Sequence, residues 1–217
     1  MRVGRVVTLA ALYGAGGSIV APRVADRLHV QFLDRAIPRA LAKRVGLSDA
    51  AASDADEAPR SRWDELVGAL GRAAPPSGAS GQVERLDFEG HKRQAEFERL
   101  LVDASRAGVV VLGRGGVVVL RSVPGALHVY LGASEDARTT RVMDECGVDR
   151  STATRRVKAN DRARRDYVRS LYGVDGDDPS LYHVRIDAIS IGVDLCVDFI
   201  VAASESLARA ATPTRAE

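Results

Sequence analysis

Apolar positions in this chain come in short unbroken runs separated by stretches with helical spacing. Val3 to Ala10 is such a run, and it ends in the glycine-rich turn Tyr13-Gly14-Ala15-Gly16-Gly17-Ser18. From Ser18 to Leu28 the apolar residues Ile19, Val20, Val24 and Leu28 fall on one face, which predicts a helix. A short strand, Val30 to Leu33, closes on Asp34, and a second helix is expected from Ala36 to Val45. The same alternation returns later. A long helix is expected over 86–107, then the strand Val109 to Leu112 with Gly113-Arg114-Gly115-Gly116 at its end, then a short apolar helix from Val117 to Arg121. Ala126 to Leu131 reads as a strand, followed by a helix from Glu135 to Cys146 that Ser134 can cap. A basic helix from Ser151 to Tyr172, capped by Ser151 or Thr152, leads into an acidic loop, Gly173 to Pro179. The strand His183 to Ile186 and a helix from Ile191 to Ala208 complete the pattern.

Strands that are apolar throughout and alternate with helices predict an α/β fold, a doubly wound five-stranded parallel sheet. In such sheets ligands sit at the carboxyl ends of the strands. Residues 46–82 break the rhythm with Asp49, Asp54, Asp56, Glu57 and the run Pro75-Pro76-Ser77-Gly78-Ala79-Ser80-Gly81. That stretch is read as a mobile insertion in one domain spanning 1–217, with a lid and post-lid loop over 150–182.

The chain's 217 residues are enough for a sizeable core, and 46% hydrophobic with 28% charged residues is ordinary for a globular domain. No apolar run has the length of a membrane span, so no membrane partner is expected. Two cysteines, Cys146 and Cys196, make no disulfide framework, which points to a cytoplasmic setting. The net charge is only +2, yet among 31 basic residues just three are lysines (Lys43, Lys92 and Lys158). Seven basic side chains fall between 155 and 169, offset only by Asp161 and Asp166. A planar guanidinium suits phosphate better than a point charge does. Nucleic acid is an alternative polyanion for that helix, although 5% aromatic residues leave few stacking platforms.

The strand ends carry the candidate chemistry. Glycines between a strand and a helix let backbone N–H groups converge on an anion, and Ser18 stands where a hydroxyl reaches a phosphate-bound Mg²⁺. Against the pattern G-x-x-x-x-G-K-[ST], Ala11 stands for the first Gly, Gly16 and Ser18 fit, and Gly17 replaces the Lys. A dinucleotide reading competes, with Gly14-x-Gly16 and Asp34 twenty residues on, but its third glycine falls on Ile19. Arg114, between glycines at a strand end, is placed to point into a ligand crevice.

Taken in order, these segments resemble the cytidylate kinase-like family, the branch of nucleoside monophosphate kinases whose phosphate loop lacks the usual Lys. The resemblance rests on Tyr13-Gly14-Ala15-Gly16-Gly17-Ser18, Phe32-Leu33-Asp34 with Arg39-Ala40-Leu41-Ala42, and Val111-Leu112-Gly113-Arg114-Gly115. It extends through Asp161-Arg162-Ala163-Arg164-Arg165, through Tyr172-Gly173 to Asp178-Pro179-Ser180-Leu181-Tyr182, and on to Asp187. It implies phosphoryl transfer from ATP, with Mg²⁺, to a nucleoside monophosphate, CMP or dCMP first. By resemblance, Gly14, Gly16 and Gly17 hold the donor phosphates and Ser18 assists the Mg²⁺. Arg114 and Arg39 grip the acceptor phosphate, Asp34 and Asp187 lie near the acceptor or the metal, and Arg162, Arg164 and Arg165 close over the transferring group. Gly17 in place of Lys keeps a second reading open, a nucleotide-binding regulator that performs no catalysis. The oligomeric state has no signature in the sequence.

Overall fold

A computed structural model describes residues 4–34, 95, 98–113 and 115–211. The elements are β1 (Val6–Ala11), α1 (Gly17–Leu28), β2 (Gln31–Asp34), a helical stretch over 98–107, β3 (Val109–Leu112) and α2 (Gly116–Val119). They continue with β4 (Leu127–Gly132), α3 (Glu135–Cys146), α4 (Arg150–Tyr172), a 3₁₀ turn (Pro179–Leu181), β5 (Val184–Asp187), α5 (Ala188–Ile191) and α6 (Val193–Ala211).

The five strands form one sheet in the order β2-β3-β1-β4-β5, and every pairing is parallel. Parallel strands covered on both faces have no solvent side, which is why β1 and β4 are apolar almost throughout. Val6, Val7, Leu9, Val109, Val110, Leu127, Val129 and Leu131 are all buried. One core cluster joins Val20, Val24 and Leu28 of α1 with Cys196, Val197 and Ile200 of α6 across the sheet residues Val7, Leu9 and Val129. A second joins Leu101 with Val6, Val109, Val111 and Leu120. Exposed ion pairs, Arg23 with Asp194 and Arg27 with Asp198, run along the seam between α1 and α6. Cys146 is exposed and Cys196 buried, both as free thiols, and burial pushes the Cys196 thiol up to about 11.

The strands begin and end close to their expected places, and three details differ. Asp149, not Ser151 or Thr152, caps α4: its carboxylate accepts from the Thr152 N–H at 2.9 Å, so the helix starts at Arg150. The last helix is split, because Gly192 (φ 84) ends α5 and α6 starts at Val193. The short helix after β3 is one turn, ending at Val119. The expected helix 36–45, the insertion 46–82 and the start of the 86–107 helix lie outside the described residues.

Candidate functional site

The sheet order puts β1 in the centre, so the turn after it opens at the middle of the carboxyl edge. Leu12 N–H donates to the Leu131 carbonyl and Ala15 N–H to the Leu12 carbonyl, both at 3.0 Å, which folds the chain back tightly. Gly16 then takes a left-handed conformation (φ 88) and caps α1, its carbonyl accepting from Ile19 and Val20. A side-chain-bearing residue is strained there. The N–H groups of Gly16, Gly17 and Ser18 donate to no acceptor among the described residues. They are the open donors of a helix start, joined by the positive end of the helix dipole. Ser18 is exposed beside them. A phosphate chain with its Mg²⁺ is chemically matched to these donors and this hydroxyl.

Two side chains fix this loop, Arg138, which the sequence reading did not single out, and Asp161, which it placed only within the arginine-rich block. Arg138 of α3 is buried; its Nη1 donates to the Tyr13 carbonyl at 3.0 Å and to Asp161 Oδ2 at 2.8 Å, and its Nε donates to the Ala133 carbonyl at 3.2 Å. Asp161 of α4 completes the ring by accepting from the Tyr13 N–H at 3.2 Å. Both backbone groups of Tyr13 are therefore held by one buried ion pair. Sequence offered a partial signal, since Arg138 follows the Ser134 cap by four residues and so has a defined direction. Ser134 does cap α3, accepting from the Ala137 N–H at 3.2 Å.

The arginines of α4 are sorted by helix phase. Arg162 is exposed and lies 3.8 Å from Asp166, and Arg165 is half-exposed, 3.6 Å from Asp177. Arg164 points inward. Expected as a nucleotide ligand, it is instead buried, paired with Asp177, and donates to Tyr130 Oη at 3.2 Å and to the Gly176 carbonyl at 3.4 Å. The reason is geometric: successive helix residues point about 100° apart, so 161 and 164 share the inner face that 162 leaves. Tyr130 also donates to Asp177 at 2.9 Å, and the Arg185 guanidinium covers its ring at 4.1 Å. Burial raises the Tyr130 phenol above its ordinary value, against the pull of Arg164 and Arg185. Tyr172, at the end of α4, lies against Gly115, where any added side-chain atom would strike the ring. The far end of α4 thus reaches the turn after β3.

An open cleft of about 250 Å³ lies between the ends of β4 and β5, lined by Leu12, Tyr130, Gly132, Ala133, Arg185, Ile186 and Asp187. Asp187 accepts from Ile189 N–H and Ser190 N–H, both at 3.0 Å, and from the Ser190 hydroxyl at 2.8 Å. Burial opposes its charged form, but those hydrogen bonds outweigh it and hold the carboxyl below its ordinary value. Asp34 ends β2, and β2 and β5 are opposite edges of the sheet. Four strand spacings of about 4.8 Å put roughly 19 Å between them. The strand ends at Asp34 and Asp187 therefore lie far apart along the carboxyl edge, and Asp187 lines the cleft beside the glycine loop. Arg39 and Arg114 lie outside the described residues. Among the described residues no cluster of three or more His, Cys, Asp or Glu could hold a metal, and no helix is long and apolar enough to cross a membrane.

Against known proteins, the model of the cytidylate kinase-like family matches residues 6–189. The chain belongs to that family. A cytidylate kinase from Methanocaldococcus jannaschii is 20% identical over 205 residues, covering 93% of this chain and 98% of that protein. A uronate isomerase from Corynebacterium glutamicum is 32% identical over 110 residues, 51% of this chain but only 21% of that protein. This second similarity is local, and the chain spans about a fifth of the isomerase. Among solved structures, an uncharacterised protein from Eubacterium ventriosum superposes with a TM-score of 0.63 at 19% identity, covering 93% of this chain and 98% of that one. It shares the fold of this kinase-like protein.

Proposed function

We propose that the protein transfers a phosphoryl group from Mg²⁺-ATP to a nucleoside monophosphate, with CMP or dCMP as the first acceptor to try. The reading rests chiefly on the glycine loop, whose N–H groups at Gly16, Gly17 and Ser18 have no acceptor among the described residues at the head of α1, in a chain of the cytidylate kinase-like family. Phosphoryl transfer asks little covalent chemistry of a protein; it needs donor and acceptor held in line and spreading charge neutralised. In this reading the loop N–H groups hold the donor phosphates and the Ser18 hydroxyl assists the Mg²⁺. The cleft at Tyr130, Arg185 and Asp187 adjoins the loop through Leu12 and is suited to the donor's base and sugar. Arg114, Arg39 and Asp34 are left for the acceptor side, and Arg162 and Arg165 for the charge that develops between the two. Arg164 keeps the lid folded.

A second reading, nucleotide binding without turnover, is favoured by one feature: the loop has no cation at position 17. A panel of ribo- and deoxyribonucleoside monophosphates with Mg²⁺-ATP, analysed for diphosphates by anion-exchange chromatography, separates the two. The kinase reading expects product with at least one acceptor and a loss of about 10²-fold or more in Arg114→Ala. ATP binding with no diphosphate from any acceptor leaves the regulator.

A further inference from the structure

Where the loop departs from the pattern G-x-x-x-x-G-K-[ST], it departs twice, and the two changes touch. A Cβ added to Gly17 would stand 2.6 Å from the Ala11 Cβ and 3.1 Å from Leu112 Cδ1. Ala11 occupies the pattern's first glycine. A methyl group at position 11 therefore fills the space through which a lysine at position 17 would leave the backbone. Gly17→Lys alone meets a clash with neighbouring main-chain-bound carbon, which cannot swing away as a flexible side chain does. The missing lysine is thus a built feature of this loop.

The charge comes from elsewhere. On α3, Arg138 and Arg141 are three residues apart and share a face. Arg138 bonds Tyr13, and Arg141 reaches the next part of the loop: a Cβ on Gly16 would lie 2.9 Å from Arg141 Nη1 and 3.5 Å from its Cζ. The Arg141 side chain is 18% exposed. Its Nε donates to Glu145 Oε1 at 2.6 Å, an exposed carboxylate one turn along the same helix. Nη1 and Nη2 have no hydrogen-bond partner among the described residues. A guanidinium edge with unspent donors beside Gly16, at a helix start whose first N–H groups have no acceptor among the described residues, is a fork suited to oxygen pairs on a phosphate chain. We infer that Arg141 is the polyphosphate-binding cation of this loop, standing in for the lysine that Ala11 excludes. The assignment rests on the loop's binding donor phosphates, as in the proposed function, and concerns no acceptor.

Calorimetric titration of the full chain with inorganic tripolyphosphate and Mg²⁺ tests it without depending on turnover. Arg141→Ala is expected to weaken tripolyphosphate binding about 10–100-fold. Arg141→Lys recovers part of the loss, and both variants melt close to the unsubstituted chain. In the Arg141→Ala background, Ala11→Gly with Gly17→Lys restores binding, whereas Gly17→Lys beside Ala11 does not. Unchanged tripolyphosphate binding in Arg141→Ala overturns the assignment, and so does an unsubstituted chain that binds no tripolyphosphate. Full restoration by Gly17→Lys alone overturns the steric link. A chain that loses tripolyphosphate binding with Arg141 yet phosphorylates no monophosphate keeps this inference and removes the kinase reading.

Discussion

On the inner face of α4, Asp161 pairs with Arg138 of α3, while Arg164, three residues on, pairs with Asp177 of the loop after the helix. Both pairs attach α4 to its surroundings, but they differ in closure. Around Asp161 everything is sealed: the two side chains are 6% and 10% exposed, and the Arg138 bonds run to Asp161, Tyr13 and Ala133. Around Asp177 the ring is open. Its side chain is 26% exposed, although the Arg164 side chain it pairs with is, at 5%, as buried as that of Arg138. A sealed pair leaves a bare buried charge when one partner goes, whereas an open one lets water take the vacated place. The first pair therefore acts as a clamp on the glycine loop, and the second as a latch on the loop after α4.

The most damaging way to break this contrast is Asp161→Ala. It strands the Arg138 guanidinium and frees the Tyr13 N–H in one step, at a cost of about 3–5 kcal/mol. Urea unfolding at pH 7 measures it, and Asp161→Asn, which still offers Tyr13 an acceptor, should lose clearly less. A loss below about 1 kcal/mol in the alanine variant means that the ring around Tyr13 is no clamp.

Acid separates the pairs by their neighbours, since Tyr130, which belongs to the Arg164–Asp177 group, shares β4 with His128. Burial, helped by the charges of His183 and Arg121, lowers the His128 pKa from 6.5 to about 4. The folded state keeps the ring neutral, with Nδ1 2.8 Å from Thr8 Oγ1. An unfolded chain takes up this proton near pH 6.5, so stability is complete above that value and falls as pH drops from about 6.5 to 4. A 2.5-unit shift corresponds to about 3 kcal/mol over the window. In His128→Gln that part of the acid sensitivity disappears. Parallel stability curves for the two proteins between pH 7 and 4 rule this account out.

How far the sequence could be read follows the same division between what a residue is and which way it faces. β1, β3 and β4 were legible because a strand buried on both faces must be an unbroken apolar run, and the glycine turn was legible because its backbone requires glycine at Gly16. The inward turn of Asp161 and Arg164 was not, because Asp161-Arg162-Ala163-Arg164-Arg165 is a mostly charged run with no apolar stripe to mark a face until α3 packs against one side of it. Strand order is equally silent in a linear reading. Asp34 and Asp187 both end strands, and only the order β2-β3-β1-β4-β5 sends them to opposite edges. Arg141 had a legible position, one turn beyond Arg138 on a capped helix. What the sequence lacked was the distance to Gly16, which the approach of α3 to the turn after β1 determines.

The gentlest test falls on the latch. Asp177→Ala removes the partner of Arg164 and the acceptor of the Tyr130 hydroxyl, but Arg164 keeps its bonds to the Gly176 carbonyl and Tyr130 Oη, and the vacated carboxylate position is partly exposed. The Tyr182 hydroxyl still donates to the Gly176 carbonyl at 2.7 Å, and Arg185 Nη1 reaches the main-chain carbonyl of residue 177 at 3.0 Å, a bond that survives the substitution. Charged hydrogen bonds are worth about 1.5–3 kcal/mol, so a loss of about 1–2 kcal/mol is expected once water fills in. The loop over 173–178 should become sensitive to limited proteolysis while tripolyphosphate binding stays within about twofold, because nothing from Asp177 touches Tyr13, Gly16 or Arg141. Asp161→Ala should do the opposite and weaken binding along with stability. If both variants reduce binding equally, α4 moves as one rigid piece with the glycine loop, and the distinction between clamp and latch is lost.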